Sequence, residues 1–332
     1  MELNGCAAPG SRPMRERDIA ELRQEEHDLS LTGAGEPEAV ASVTEISARG
    51  VPAWLYWPAR YRKGVLVWLH GGAWMLGNPV SHDPLARAFA NRIGCAVLSV
   101  DYRRAPEHRY PAATDDAWNA TCWAADKFGE VAVGGDSAGG NLAAAVALRA
   151  RDHALTLALQ MLVYPVLDGD LDAPYREDFA KRNEYPAGPD ALGANWRDNM
   201  LYIWQEYVPD QVQRLAPDAS PIHAPSLAGL APALIITAGR DILRAESEQY
   251  ARRLADAGVP ARLRNYPRAS HGFFHLLAGA PDARDAVDRS AEAVRRAFCQ
   301  DSADEPGNPR RPAGVGTADN QHLRLTLCGR SA

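Results

Sequence analysis

Gly134-Gly135-Asp136-Ser137-Ala138-Gly139-Gly140 decides the reading of this chain. Ser137 stands at the centre of a G-x-S-x-G pattern, between Gly135 and Gly139. The apolar run Val131-Ala132-Val133 precedes it, and a helix-forming run from Asn141 to Leu148 follows. Strand, sharp turn and helix are the context in which a serine hydroxyl is presented as a nucleophile. The flanking glycines lack a Cβ, so the two arms of the turn can approach closely.

Outward from this turn the chain alternates between two patterns. Short apolar runs predict strands at 43–47, 53–57, 65–69, 96–100, 131–135, 157–163, 233–237 and 261–266. Val65-Leu66-Val67-Trp68-Leu69 is apolar at every position, the mark of a strand buried on both faces. Helical spacing predicts helices at 84–93, 112–127, 244–257 and 283–298. Alternating strands and helices specify an α/β fold with a mostly parallel sheet covered on both faces. A short amphipathic helix is expected within 14–28, where Ile19 and Leu22 are three residues apart. Residues 168–220 break the rhythm with Asp, Pro and Tyr and read as an insertion capping the site. The expected division is an N-terminal cap segment at 1–40, a catalytic domain at 41–299 and a disordered tail at 300–332.

The 332 residues are 46% hydrophobic and 23% charged, with a net charge of −6, which does not suit a polyanion-binding protein. No membrane span and no signal peptide are visible, and no repeat is found. The five cysteines, Cys6, Cys95, Cys122, Cys299 and Cys328, form no metal-binding spacing. A cytoplasmic location follows as the default.

Acyl transfer by a serine needs a base, an acid that orients it and donors for the oxyanion. In open parallel sheets these groups gather at the carboxyl ends of strands. His70-Gly71-Gly72-Ala73-Trp74 follows the 65–69 strand, and Gly71, Gly72 and Ala138 are the expected oxyanion donors. Asp241 follows the 233–237 strand and is the expected orienting acid; Glu246 and Glu248 fall in the next helix and are expected to face solvent. His271 follows the 261–266 strand and is the expected base. His275 reads as packing or rim, His322 lies in the tail, and His70 reads as a support for its own loop. Trp74 and Asp136 are candidates for the substrate pocket, whereas Trp204 reads as core.

With these residues in place the chain resembles the hormone-sensitive-lipase-like family of α/β-hydrolases, the bacterial esterase branch. The resemblance is carried by His70-Gly71-Gly72, Ser81-His82-Asp83, Asp101-Tyr102-Arg103, Ala105-Pro106-Glu107-His108, Tyr110-Pro111-Ala112-Ala113, the elbow, Asp241-Ile242-Leu243 and His271-Gly272-Phe273. It implies an α/β-hydrolase fold with an eight-stranded sheet and a helical cap. It implies Ser137 as nucleophile, Asp241 as orienter, His271 as base, and a small-molecule carboxylic ester of short to medium acyl chain as substrate. No metal or cofactor and no nucleic acid are expected, and a homodimer is the assembly suggested by the resemblance. Ala73 departs from the family's third glycine and should narrow the acyl side. The network around Asp101, Arg103, Glu107 and His108 is expected to be structural. Three other readings are an amidase or N-deacetylase on the same triad, a ligand-binding receptor and a lyase.

Overall fold

A computed structural model describes residues 12–176 and 196–300. The predicted tail from 301 and parts of both predicted cap segments lie outside these residues.

Eight strands form one sheet: β1 (Ser42–Ala48), β2 (Val51–Trp57), β3 (Val65–Leu69), β4 (Ala96–Val100), β5 (Val131–Asp136), β6 (Leu159–Val163), β7 (Ala233–Arg240) and β8 (Ala261–Ser270). Their order is β1-β2-β4-β3-β5-β6-β7-β8. β1 with β2, and β2 with β4, pair antiparallel; every other pair is parallel. The structure therefore has the predicted α/β sheet; β3 and β4 keep the predicted limits, β6 starts two residues later, and the other strands are longer than predicted.

The continuous apolar runs are explained by two cores. Side chains alternate across a strand. Val65, Val67 and Leu69 enter one hydrophobic cluster, while Leu66 and Trp68 enter the other. Helices α3 (Ala112–Phe128) and α4 (Ala138–Asp152) cover the first face. Helices α2 (Asp83–Ile93) and α8 (Pro281–Gln300) cover the second. Trp68 is fully buried against Phe89 and Phe274, so Trp68→Ala should cost about 3–5 kcal/mol.

The N-terminal helix differs from the expectation. It is α1 (Ile19–Ala34), later and longer than the 14–28 reading. Asp18 sets its start by accepting a hydrogen bond from the Ala20 N–H, and Gly35 ends it at φ 74°. Further helices among the described residues are α5 (Trp196–Tyr207), the single turn α6 (Gln211–Arg214) and α7 (Arg244–Asp256). Met14 donates its N–H to Asn199 Oδ1 at 3.2 Å, and Arg15 pairs with Asp198, so the N-terminal turn is tied to α5. Among the described residues no helix is long and apolar enough to cross a membrane.

Candidate active site

Ser137 occupies the step from β5 to α4 with φ 55° and ψ −115°. A non-glycine residue held at positive φ costs roughly 1–3 kcal/mol, supplied by the packing around it. That packing is tight. A Cβ on Gly139 would overlap the Leu69 carbonyl oxygen, and one on Gly135 would overlap both Gly139 and Leu69. The Ser137 N–H donates to the Val163 carbonyl at 2.8 Å. The serine is thereby fixed at the carboxyl edge of the three central strands.

His271 and Asp241 come to the same edge from the ends of β8 and β7. His271 Nε2 is 2.9 Å from Ser137 Oγ, and His271 Nδ1 is 2.6 Å from Asp241 Oδ2. Asp241 is 1% exposed, and its Oδ1 accepts the Leu243 N–H at 2.9 Å, so the carboxylate is held on both oxygens. Burial alone would disfavour the imidazolium. The Asp241 carboxylate, with Asp136 behind it, holds the His271 pKa above its usual value. The three residues chosen from strand ends are thus brought within hydrogen-bond reach of one another.

The competing carboxylates separate differently from the expectation. Glu248 pairs with Arg244 at the surface side of α7. Glu246 does not face solvent. It is fully buried, accepts the Leu167 N–H at 3.0 Å and pairs with Arg176. Burial pushes its carboxyl up. Its position three residues into α7 turns it under the sheet edge, which helical spacing alone did not reveal.

The glycine loop after β3 also needs correction. The Gly71 N–H donates to Asp136 Oδ1 at 2.9 Å and is therefore engaged within the protein. The N–H groups of Gly72, Ala73 and Ala138 have no acceptor among the described residues. Gly72 adopts φ 110°, a region natural to glycine, and Ala73 follows at φ 56°. His70 supports the loop through Nδ1 donating to the Gly71 carbonyl at 2.8 Å; its ring stacks on Tyr102, whose hydroxyl donates to the His70 carbonyl. Burial keeps the His70 pKa well below its usual value.

Asp136 borders the cavity, but its carboxylate is engaged within the protein. It is 3% exposed and receives three donors: Gly71, His82 Nε2 at 3.2 Å and His275 Nε2 at 3.0 Å. Burial would raise its pKa, but His275 and His82 together hold it well below the carboxylate range. His275, read as packing or rim, is a buried partner of this carboxylate. His82, Asp136 and His275 also form the one metal-capable cluster among the described residues, with ligand atoms within 4.8 Å of one another. In this arrangement those atoms are joined to each other by hydrogen bonds. Trp74 is likewise buried, stacked on Tyr207 at 4.2 Å and tilted against Trp204 at 4.9 Å. Both Trp74 and Asp136 border the cavity from within its wall.

That cavity, about 230 Å³, opens above Ser137 and His271. Leu22 and Leu29 of α1, Met200 and Ile203 of α5, and Leu76 and Ile242 make its apolar wall. Arg17, Glu25, Glu26 and Asn199 add polar groups. Helix α1 is held at this place by Arg23. Its guanidinium donates to the Met75 and Ala105 carbonyls and pairs bidentately with Glu107. Arg23 draws the Glu107 carboxyl down to about 2. The expected network around Asp101 and His108 resolves into separate pairs, Arg103 with Asp116 and Glu107 with Arg23, and Glu107 and His108 are exposed.

Comparison with known proteins gives a consistent picture. A family described by the alpha/beta hydrolase fold matches residues 66–275. Carboxylesterase NlhH of Mycobacterium tuberculosis is 39% identical over 294 residues, 84% of each chain. The arylesterase of Saccharolobus solfataricus is 34% identical over 277 residues, 79% of this chain and 85% of that one. The solved structure of a hyperthermophilic esterase from the archaeon Pyrobaculum calidifontis matches with a TM-score of 0.76 at 36% identity, covering 85% of this chain and 94% of that one.

Proposed function

Because the chain belongs to the hormone-sensitive-lipase-like family of alpha/beta-hydrolases, we propose that it hydrolyses carboxylic esters through an acyl-enzyme on Ser137. The observation that carries the residue assignment is the unbroken line from Ser137 Oγ to His271 Nε2 and from His271 Nδ1 to Asp241.

His271 accepts the Ser137 proton as Oγ attacks the ester carbonyl. Asp241 holds the ring in the tautomer that leaves Nε2 free to accept, and it stabilises the imidazolium. The carbonyl oxygen gains charge and meets the N–H groups of Gly72, Ala73 and Ala138. Donors already aimed at that position stabilise the transition state without reorganising, and loss of one typically costs about 2.7–4 kcal/mol. His271 then protonates the leaving alkoxide. Water activated by the same ring releases the acid.

The substrate is a small-molecule ester. The cavity's volume and its Leu, Ile and Met wall suit an acyl group of short to medium length. The Ala73 methyl beside the oxyanion narrows the same side. A homodimer, implied by the family resemblance, is read by sedimentation at micromolar concentration.

The test is hydrolysis of p-nitrophenyl esters from acetate to laurate, by wild type and Ser137→Ala, with the matched anilides alongside. Turnover of the shorter esters by wild type alone supports the proposal. Turnover by the variant near the wild-type rate removes Ser137 from it. Faster cleavage of anilides than of esters would favour an amidase.

A further inference from the structure

The Asp136 carboxylate collects donors from two loops, the one between β3 and α2 and the one after β8. Asp136 immediately precedes Ser137. Gly71, which donates to Oδ1, immediately precedes the unpaired donors Gly72 and Ala73. His275, which donates to Oδ2, lies on the loop that carries His271. His82, at the start of α2, closes the arrangement on Oδ1. The carboxylate therefore stands one residue behind the nucleophile and one residue behind the oxyanion donors. Packing reinforces the contact, since a Cβ on Gly71 would run into the Asp136 carboxylate. Every group is buried: Asp136 at 3%, His82 at 1% and His275 at 7% exposure. A buried carboxylate with fewer donors would be destabilised, so the cluster holds its geometry as a unit.

We propose that Asp136 and His275 are positioning residues: the carboxylate fastens the oxyanion loop to the nucleophile elbow, and His275 fastens the histidine loop to the same carboxylate. Both border the cavity, but their polar atoms are engaged with each other and with Gly71 and His82. Their effect falls on the placement of Gly72, Ala73 and His271 relative to Ser137. The stabilisation of a tetrahedral oxyanion depends on donor placement far more than ground-state binding does. The signature is therefore a fall in kcat at constant KM. This inference rests on the reading of Ser137 as nucleophile, and the Ser137→Ala control separates the two. Activity surviving in that control overturns the reading of the site. A silent control with fully active His275 and Asp136 variants overturns only the positioning role.

The experiment compares His275→Leu, His275→Gln and Asp136→Asn on p-nitrophenyl butyrate. It also measures inhibition by an alkyl trifluoromethyl ketone, whose hemiketal with Ser137 Oγ mimics the tetrahedral intermediate. His275→Leu leaves Oδ2 without a donor. It should lower kcat by about tenfold to a hundredfold, with KM within about threefold, and weaken the ketone in parallel. His275→Gln keeps an N–H donor at a similar reach and should recover most of the loss. Asp136→Asn loses the charge and should fall at least as far as His275→Leu. If Asp136→Asn does not fold, the pair at 275 still decides. Wild-type kcat and ketone affinity in His275→Leu would overturn the proposal. So would equal losses in the Leu and Gln variants, or a loss of kcat that tracks melting temperature and vanishes on cooling.

Discussion

Helices α4 and α1 both border the cavity at Ser137, and they are built by opposite means. Twelve of the fifteen residues of α4 are buried, most of them Ala, Gly or Leu, and the helix lies directly on the sheet. Only four of the sixteen residues of α1 are buried. Its place is set by side chains reaching outward: Arg23 to Glu107 and two carbonyls, and, from the preceding turn, Arg15 to Asp198. Close packing fixes the elbow to a fraction of an ångström, because an added methyl has nowhere to go. Exposed ion pairs hold a helix more loosely, since each is worth ~1 kcal/mol or less. The proposed nucleophile rests on the rigid side, and the α1 wall of the cavity rests on the adjustable one.

This contrast is broken most severely within the platform. Asp241→Asn preserves shape but favours the wrong His271 tautomer, and kcat should fall by about 10⁴. Steady-state kinetics on folded protein check it, and a fall below tenfold would remove Asp241 from the orienting role. Next comes Gly139→Ala, whose Cβ would overlap the Leu69 carbonyl oxygen. Stability should drop by about 4 kcal/mol or more, or the protein should fail to fold, as read by denaturant unfolding.

Titration of the site sharpens the comparison. In its proposed role as general base His271 works as neutral imidazole, and its pKa is raised by Asp241 and Asp136 against the effect of burial. Activity is therefore full above the raised value and is lost as pH falls through it. The acid limb of kcat/KM should have its midpoint above about 6.5, the ordinary histidine value. A midpoint at or below that value would contradict the environment described for His271.

The smallest effect belongs to the cap side. Arg15 and Asp198 form a pair in which both side chains are about half exposed. Arg15→Ala should change stability by less than about 0.5 kcal/mol and leave kcat unaltered, by thermal melting and the ester assay. A large change in either would show that α1 is as rigidly integrated as α4.

Local pattern was sufficient for much of this molecule. Val65–Leu69 and Ala96–Val100 have the limits read from their runs, because a strand buried on both faces reads as a nearly continuous apolar stretch, Ser99 being the one polar residue of the two. Ser137, Asp241 and His271 could be chosen because each follows a recognisable strand, and parallel strands deliver their carboxyl ends to one edge. The start of α1 was also written locally, in Asp18, but its weak amphipathic signal hid it.

What tertiary structure alone decided is which polar group meets which. The Gly71 N–H faces Asp136, 65 residues away, while the N–H groups of Gly72 and Ala73 remain open to a ligand. His275 reaches Asp136 across 139 residues, and Glu246 reaches Leu167 across 79. Sequence periodicity reports how a side chain is directed on its own element. Whether a donor is consumed or left free depends on an acceptor from another loop arriving within about 3 Å. That distance is fixed only when the whole sheet has closed around the elbow.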